Sequence, residues 1–263
     1  MNIVLIGSGN VAQSLGSLLV KAGHSILQVM NRTEEPGRKL ADLLQADYIA
    51  GYADLSPHAD LYIIALADKA IPELLLHGKL ENKFVVHTAG TIPMAAIAGI
   101  SHRTGILYPL QSLRGKAPVS GEIPFLLQAS QPADLALLQE LVQSMNASYQ
   151  VVNDKQRLQM HVSAVWVNNF PNLMYSIAYR LCQENRLSFD LLLPLIRETG
   201  LRLQTMPQPG AADPFLWQTG PAMREDMLTV RKHLECMNPH PDWKDLYEHL
   251  TEEIISLKSQ VSD

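Results

Sequence analysis

The chain has no uninterrupted apolar run long enough to cross a bilayer, which takes about 20 residues of helix. A membrane span is therefore not expected. It also lacks a long basic run, and 21 Lys and Arg against 26 Asp and Glu leave a formal net charge of −5. A nucleic-acid partner, which needs concentrated positive charge, is not expected either. Cysteine is scarce. Cys182 and Cys236 stand far apart and lack the spacing of a metal or redox pair. They read as reduced thiols of a cytoplasmic protein with no metal site. No charged leader precedes the first apolar stretch, so no secretory signal is expected. Hydrophobic residues make up 47% of 263 positions, enough for one large or two medium cores.

Against these absences, the first thirty-odd residues carry a dense signal. Asn2-Ile3-Val4-Leu5-Ile6 reads as a buried strand. It runs straight into Gly7-Ser8-Gly9-Asn10-Val11-Ala12. A helix follows with Val11, Leu15, Leu18, Leu19 and Ala22 on one face and Gly23 as its stop. A second strand, Ser25 to Met30, ends at Asn31-Arg32-Thr33. Strand, glycine turn, helix and strand form a dinucleotide-binding unit. Gly7 permits the tight turn, Gly9 lets backbone approach a pyrophosphate, and the helix N-terminus offers free N–H groups. A glycine pattern alone is weak; its place after a strand and before a helix gives it meaning.

One further absence selects the nucleotide. NAD binders place an acid at the tip of the second strand to hold the ribose 2′-hydroxyl. This chain has Asn31 and Arg32 there. A guanidinium grips a 2′-phosphate that a carboxylate would repel, so the expected cofactor is NADP. Read blandly, Arg32 is a solvated arginine and Thr33 a helix cap ahead of Glu34, Glu35 and Pro36.

Further strands are expected at Asp47 to Ala50, Leu61 to Leu66, Phe84 to His87, Gly105 to Tyr108, Ile123 to Gln128 and Tyr149 to Val152. Helices are expected from Thr33 to about Ala46, from Ala67 to about His77, and from Ala133 to Met145. Alternating strands and helices predict a Rossmann-like, doubly wound, mostly parallel α/β sheet. Beyond Asn153 no strand is expected, only an all-α domain. Its helices read as Asn153 to Asn185, bent near Pro171, then Phe189 to Met206, Gly220 to Cys236 and Trp243 to Ser259. Pro207, Pro209, Gly210 and Pro214 mark a loop, as do Pro118 and Gly121 earlier. The expected domains are 1–152, binding the nucleotide, and 153–263, for substrate and dimerisation.

Ligands of doubly wound sheets bind beyond the carboxyl ends of the strands. Leu66, Ala67 and Asp68 should therefore line the cofactor groove, with Thr88 beside them. His87 and Tyr108 end two further strands; each is a candidate for the substrate side or a satisfied core residue. On the long helix, His161, Val165, Asn168 and Asn169 share a face among apolar neighbours. Polar groups there either satisfy one another or face a cleft. Arg224 and Asp226 read as a surface pair or, for Arg224, as a ligand of an anionic substrate.

With these residues in view, the chain resembles a known group. Its glycine turn and Asn31-Arg32-Thr33 resemble the superfamily of pyrroline-5-carboxylate reductase and deazaflavin-dependent NADP oxidoreductases. Val86-His87-Thr88-Ala89-Gly90, Tyr108-Pro109-Leu110-Gln111, Leu158-Gln159-Met160-His161, Asn168-Asn169-Phe170, Leu193-Pro194-Leu195-Ile196 and Gln218-Thr219-Gly220-Pro221-Ala222 are closer to one bacterial branch. That branch joins a Rossmann-like domain to a helical domain of unknown function. The resemblance implies NADP binding and a homodimer through the helical domain, but no particular substrate. Related hydroxyacid dehydrogenases carry a lysine one turn before an asparagine on the long helix. Here Val165 stands one turn before Asn169, and Lys155 is too far back. Hydroxyacid oxidation by that route is not expected. Many members of the branch carry His-Pro where this chain has Tyr108-Pro109.

The expected activity is NADP-dependent oxidation or reduction of a small molecule, with hydride transfer in the cleft between the domains. His161 is the expected acid or base, Asn169 the substrate-orienting amide and His87 an assistant. Gly7, Ser8, Gly9, Asn10, Val11, Asn31, Arg32, Thr33, Leu66, Ala67, Asp68 and Thr88 are the expected cofactor contacts. The rival reading is a sensor or scaffold that holds NADP without turnover; another adenine nucleotide is the third.

Overall fold

The computed structural model describes residues 1–71, 80–114, 121–205 and 213–261. The first strand explains why the sheet is covered on both faces. In β1 (Asn2–Ile6) alternate side chains point to opposite sides. Ile3 and Leu5 join one apolar cluster, whereas Val4 and Ile6 join another. None of the four is more than 1% exposed. Each such burial contributes up to about 1.5–3 kcal/mol.

Seven more strands complete one sheet: β2 (Ser25–Met30), β3 (Asp47–Ile49), β4 (Leu61–Ile64), β5 (Phe84–His87), β6 (Arg103–Pro109), β7 (Phe125–Ala129) and β8 (Tyr149–Val151). Their order is β3-β2-β1-β4-β5-β6-β7-β8. Every neighbouring pair is parallel except β6 and β7. Chain direction across the sheet reverses between β1 and β4, the switch point where doubly wound sheets open a crevice. The expected Rossmann-like, mostly parallel sheet is what forms. Helices α1 (Asn10–Lys21), α2 (Glu34–Leu44) and α3 (Pro132–Ser144) cover the Ile3 face with Leu15, Leu19, Leu40, Leu44, Leu138 and Leu141. On the Val4 face, Tyr62, Ile64, Val85, Ile97 and Ile100 close the second cluster.

After β8 comes α4 (Asp154–Ala164), opened by a capping box in which Asn153 and Gln156 exchange hydrogen bonds of 2.9 Å. The expected single helix from Asn153 to Asn185 is interrupted. Val165–Asn169 form a π turn, and the Phe170 N–H reaches back five residues to the Val165 carbonyl. Helix α5 (Phe170–Glu184) then resumes. Pro171 cannot donate to the carbonyl four residues earlier, and the π turn shifts the backbone register just before it.

Compactness divides the chain into Met1–Phe170 and Pro171–Asp263. The second unit contains the rest of α5, α6 (Leu193–Gln204), α7 (Met227–Cys236) and α8 (Pro241–Val261). Among the described residues no strand follows Val151. The helix expected from Gly220 starts only at Met227. Glu225 adopts a left-handed φ of 54°, and the Asp226 side chain caps α7 by accepting the Thr229 N–H at 3.1 Å. The α6 segment begins as a 3-10 turn, Phe189–Leu192, and ends at Gln204. Of the helix expected from Ala67, a 3-10 turn at Asp68–Ala70 is described; positions 72–77 lie outside the described residues, as do Pro118, Met206, Pro207, Pro209 and Gly210.

Candidate functional site

The glycine turn has the shape that a pyrophosphate cradle requires. Gly7 stands at φ 115°, and a methyl group there would lie 2.3 Å from the Ala65 carbonyl oxygen. Only glycine allows β1 to turn so close to β4. Gly9 is different: its φ is −72°, and a methyl group there would meet nothing within 4 Å. Gly9 is also the N-cap of α1, and no side chain caps the helix. A twelve-residue helix thus presents its N-terminal amides and positive dipole end at an open, methyl-free rim. Ser8 and Val11 are half-buried, while Gly9 and Asn10 are exposed on that rim; Ala12 is wholly buried beneath it. These residues fit a dinucleotide phosphate.

At the tip of β2 the backbone is fixed by three hydrogen bonds. The Asn31 N–H donates to Ile49 at 3.1 Å, Tyr48 donates its hydroxyl proton to the Asn31 carbonyl at 3.0 Å, and the Asn31 side chain donates to Thr33 at 2.7 Å. Arg32 is exposed beside this tip. Thr33 occupies the N-cap of α2 without a side-chain capping bond. Glu34, two positions further on, is bound by Arg38 at 2.7 Å, and Arg38 lies over the Tyr48 ring at 4.9 Å. That pairing offsets the carboxylate that would otherwise oppose an anion near Arg32.

Beyond β4, Leu66 is half-buried and Ala67 and Asp68 are exposed; Asp68 accepts a hydrogen bond from the Thr91 hydroxyl. Thr88 lies buried, its N–H donating to Ile64 at 3.1 Å. His87 has no exposed surface. Its Nδ1 accepts the Ala89 N–H at 3.2 Å, and its Nε2 has no hydrogen-bond partner among the described residues. Burial, then the positive charge of Arg157, lowers its pKa from 6.5 to about 4. His87 therefore lies neutral beneath the loop that leaves β5.

Above that loop the structure joins residues far apart in sequence. Tyr108, near the end of β6, and His161, on α4, are linked at 2.9 Å between the hydroxyl and Nδ1. Their rings meet edge to face at 6.0 Å between centroids. Burial raises the Tyr108 pKa, so the phenol stays protonated. Gly90 packs against both rings: a methyl group there would lie 2.7 Å from His161 Nδ1 and 3.1 Å from Tyr108. The Nδ1 edge of His161 is thus closed by Tyr108 and Gly90, and its Nε2 makes no hydrogen bond among the described residues. Tyr108 and His161 line a cavity of about 520 Å³ with Gln111, Ser112, Asn168 and Asn169. The structure brings His161 and Asn169 to one cavity and leaves His87 out of it. Arg224 is exposed in the second unit.

The sequence reading assigned nothing to Arg157, which is 1% exposed. It donates to Gly90 and Ile92 carbonyls, to Gln128 at 3.0 Å and to Asp154 at 2.8 Å. Its signal was present: Asp154, Arg157 and His161 recur on one helical face.

Two family models match the chain. Residues 2–90 match "NADP oxidoreductase coenzyme F420-dependent", and residues 123–254 match a domain of unknown function, DUF2520. Among curated proteins, none matches the chain. The structure of a candidate NADP oxidoreductase from Bacteroides fragilis is 38% identical, with 97% of this chain and 98% of that one covered and a TM-score of 0.86. The 1-pyrroline-5-carboxylate reductase of Streptococcus pyogenes, at 16% identity, covers 97% and 98% of the two chains with a TM-score of 0.65. An imine reductase from Myxococcus stipitatus, solved with NADP+, is 15% identical and covers 100% and 94% with a TM-score of 0.62. The last two show the fold alone. A methyl-free phosphate cradle, the matches at 2–90 and 123–254, and 38% identity along nearly the whole length place this chain in the family of NADP oxidoreductases that join a Rossmann-like domain to a DUF2520 helical domain.

Proposed function

We propose that the protein is an NADP-dependent reductase of a small molecule with a C=N or C=O group. The observation that carries this reading is the Tyr108–His161 pair at the edge of a cavity, on the same sheet end as the phosphate cradle. Gly7, Gly9 and the α1 amides hold the pyrophosphate, with Ser8, Asn10 and Val11 along the rim. Asn31, Arg32 and Thr33 take the adenosine end, with Arg32 on the 2′-phosphate. Leu66, Ala67, Asp68 and Thr88 flank the groove toward the nicotinamide. NADPH, when bound, supplies the hydride.

The chain's own groups manage the proton. A neutral Tyr108 donates to Nδ1 of His161, which fixes the tautomer that carries its proton on Nε2. That proton is then the one offered to a substrate nitrogen or oxygen in the cavity, while the Tyr108 hydroxyl proton passes to Nδ1 and leaves the negative charge on the phenolate until water reprotonates it. Asn169 orients the substrate through its amide. His87 assists from beneath, holding the Ala89 amide and with it the loop on which Gly90 sits. The apolar lining from Leu110, Met160, Ala164 and Val165 excludes water. The imine substrate is suggested by two reductases of the same fold, a 1-pyrroline-5-carboxylate reductase and an imine reductase.

The active form is a homodimer through the helical unit. Among the described residues of that unit Ala222, Val230 and Met237 are the buried apolar ones, while Leu187, Leu191, Leu195, Leu216 and Leu228 are more than half exposed. Apolar exposure on this scale marks an association surface. No described helix is long and apolar enough to cross a membrane.

The test is NADPH oxidation, followed by absorbance, over a panel of imines, ketones and aldehydes. Turnover of a panel member that falls at least tenfold in His161→Ala supports the reading. Tight NADPH binding with no turnover across the panel overturns it and favours a nucleotide sensor. Sedimentation at two concentrations tests the dimer; a monomer at both refutes it.

A further inference from the structure

The buried guanidinium of Arg157 sits one helical turn before His161, and all but one of its hydrogen bonds lead away from α4. Nε donates to the Gly90 carbonyl at 3.3 Å, and the third nitrogen donates to the Ile92 carbonyl. Nη1 donates to Gln128 on β7 at 3.0 Å and to Asp154 at 2.8 Å. Asp154 in turn accepts the Met94 N–H at 3.2 Å. Side chains from the first two turns of α4 therefore hold three backbone groups of residues 90–94. Gly90 is the residue in contact with both the His161 and Tyr108 rings.

We propose that Arg157 is the positioning residue of the proton-handling pair: it ties the Gly90–Met94 segment to α4 and the sheet, so that His161 Nδ1 meets the Tyr108 hydroxyl. A buried charge is costly unless it is fully bonded, and a hydrophobic contact would hold a loop as firmly. What an arginine adds is geometry. Its planar fork reaches carbonyls two residues apart from one point, while two other partners fix the plane. Lysine keeps the charge but offers three donors from a single atom, so it cannot span Gly90, Ile92 and Gln128 together. Burial first, and then the charge of the same guanidinium, keep the His87 ring neutral under the loop. Its role in turnover rests on the reading of Tyr108 and His161 given above; its role in placing the rings does not.

The experiment separates the two. Nitrogen-15 histidine NMR on the full chain reads the His161 Nδ1 hydrogen bond directly, without a substrate. Tyr108→Phe supplies the reference spectrum for a broken pair. Arg157→Lys is expected to melt as a folded protein and to bind NADPH within about threefold of wild type, yet to give the Tyr108→Phe spectrum at His161. With a substrate in hand, kcat should fall at least tenfold at unchanged NADPH KM, and the conservative lysine should not rescue it. A wild-type His161 spectrum in folded Arg157→Lys overturns the proposal. If Arg157→Lys does not fold, Asp154→Ala, which keeps the guanidinium and frees Met94, takes its place. Its His161 signal should shift toward the Tyr108→Phe position; a signal at the wild-type position overturns the proposal equally. An intact His161 spectrum with turnover lost would overturn the proposal and, in addition, count against the proton-handling reading.

Discussion

Two alanine substitutions in the glycine turn should have opposite readouts. At Gly7 the added methyl lies 2.3 Å from the Ala65 carbonyl oxygen, and the φ of 115° disfavours any side chain. The oxygen is backbone in a residue tied to β1, whose N–H donates to Ile6 at 2.8 Å, so it cannot swing away. Overpacking costs about 1–3 kcal/mol and a strained dihedral about as much again. Gly7→Ala should therefore destabilise by about 2–5 kcal/mol, which lowers the Tm by roughly 5–15 °C for a chain of this length. At Gly9 the methyl meets nothing within 4 Å and the φ is ordinary. Gly9→Ala should melt within about 2 °C of wild type. The methyl would nevertheless stand on the rim that a pyrophosphate must approach, and NADPH affinity should drop at least tenfold, about 1.4 kcal/mol or more. Thermal melts followed by circular dichroism and titration calorimetry with NADPH give both numbers on the same samples. Wild-type NADPH affinity in Gly9→Ala would show that the phosphates lie elsewhere, and wild-type melting of Gly7→Ala would refute the close approach of β1 to β4.

Other consequences are as direct. Arg32→Ala should weaken NADPH by about 10- to 100-fold, the worth of a charged hydrogen-bonded contact, and leave NADH nearly unchanged; equal loss for both refutes the phosphate contact. His87 has a native pKa of about 4 against an ordinary 6.5, so the unfolded chain takes up a proton that the native state refuses between those values. Stability should be full above pH 6.5 and fall by about 3 kcal/mol toward pH 4, a slope that His87→Gln should flatten in melts recorded across that range. Asp134 is wholly buried and bound by Arg103, itself 35% exposed. Asp134→Asn should destabilise by about 2–4 kcal/mol in urea unfolding, less than for a pair buried at both ends.

Local signals were legible in the sequence because their causes are local. β1 and its glycine turn follow from eight consecutive residues, Asn2 to Gly9, and the absent acid at Asn31-Arg32 needed no knowledge of the fold. The His161 and Asn169 face was visible from helical spacing. What could not be read is what the chain brings together from afar. Tyr108 and His161 are 53 residues apart, Gly90 and Arg157 are 67, and a buried arginine looks like a surface one until its partners are known. Pro221 after Thr219 mimics a helix start, yet the chain turns left-handed at Glu225 and defers the helix to Met227. Solvated and buried histidines also share one letter; only the strand's depth shows that His87 has no surface.

The π turn at Val165–Asn169 gives the cavity wall one residue more than an α-helix of the same span would use. Length, rather than composition, is therefore a way of altering this wall. Deleting a single residue there would restore regular helix and take one side chain out of the wall, while His161 and Asn169, then seven positions apart, would keep one face. A family could change what its cavity accepts by a one-codon deletion, with the phosphate cradle, the tyrosine and the histidine all untouched.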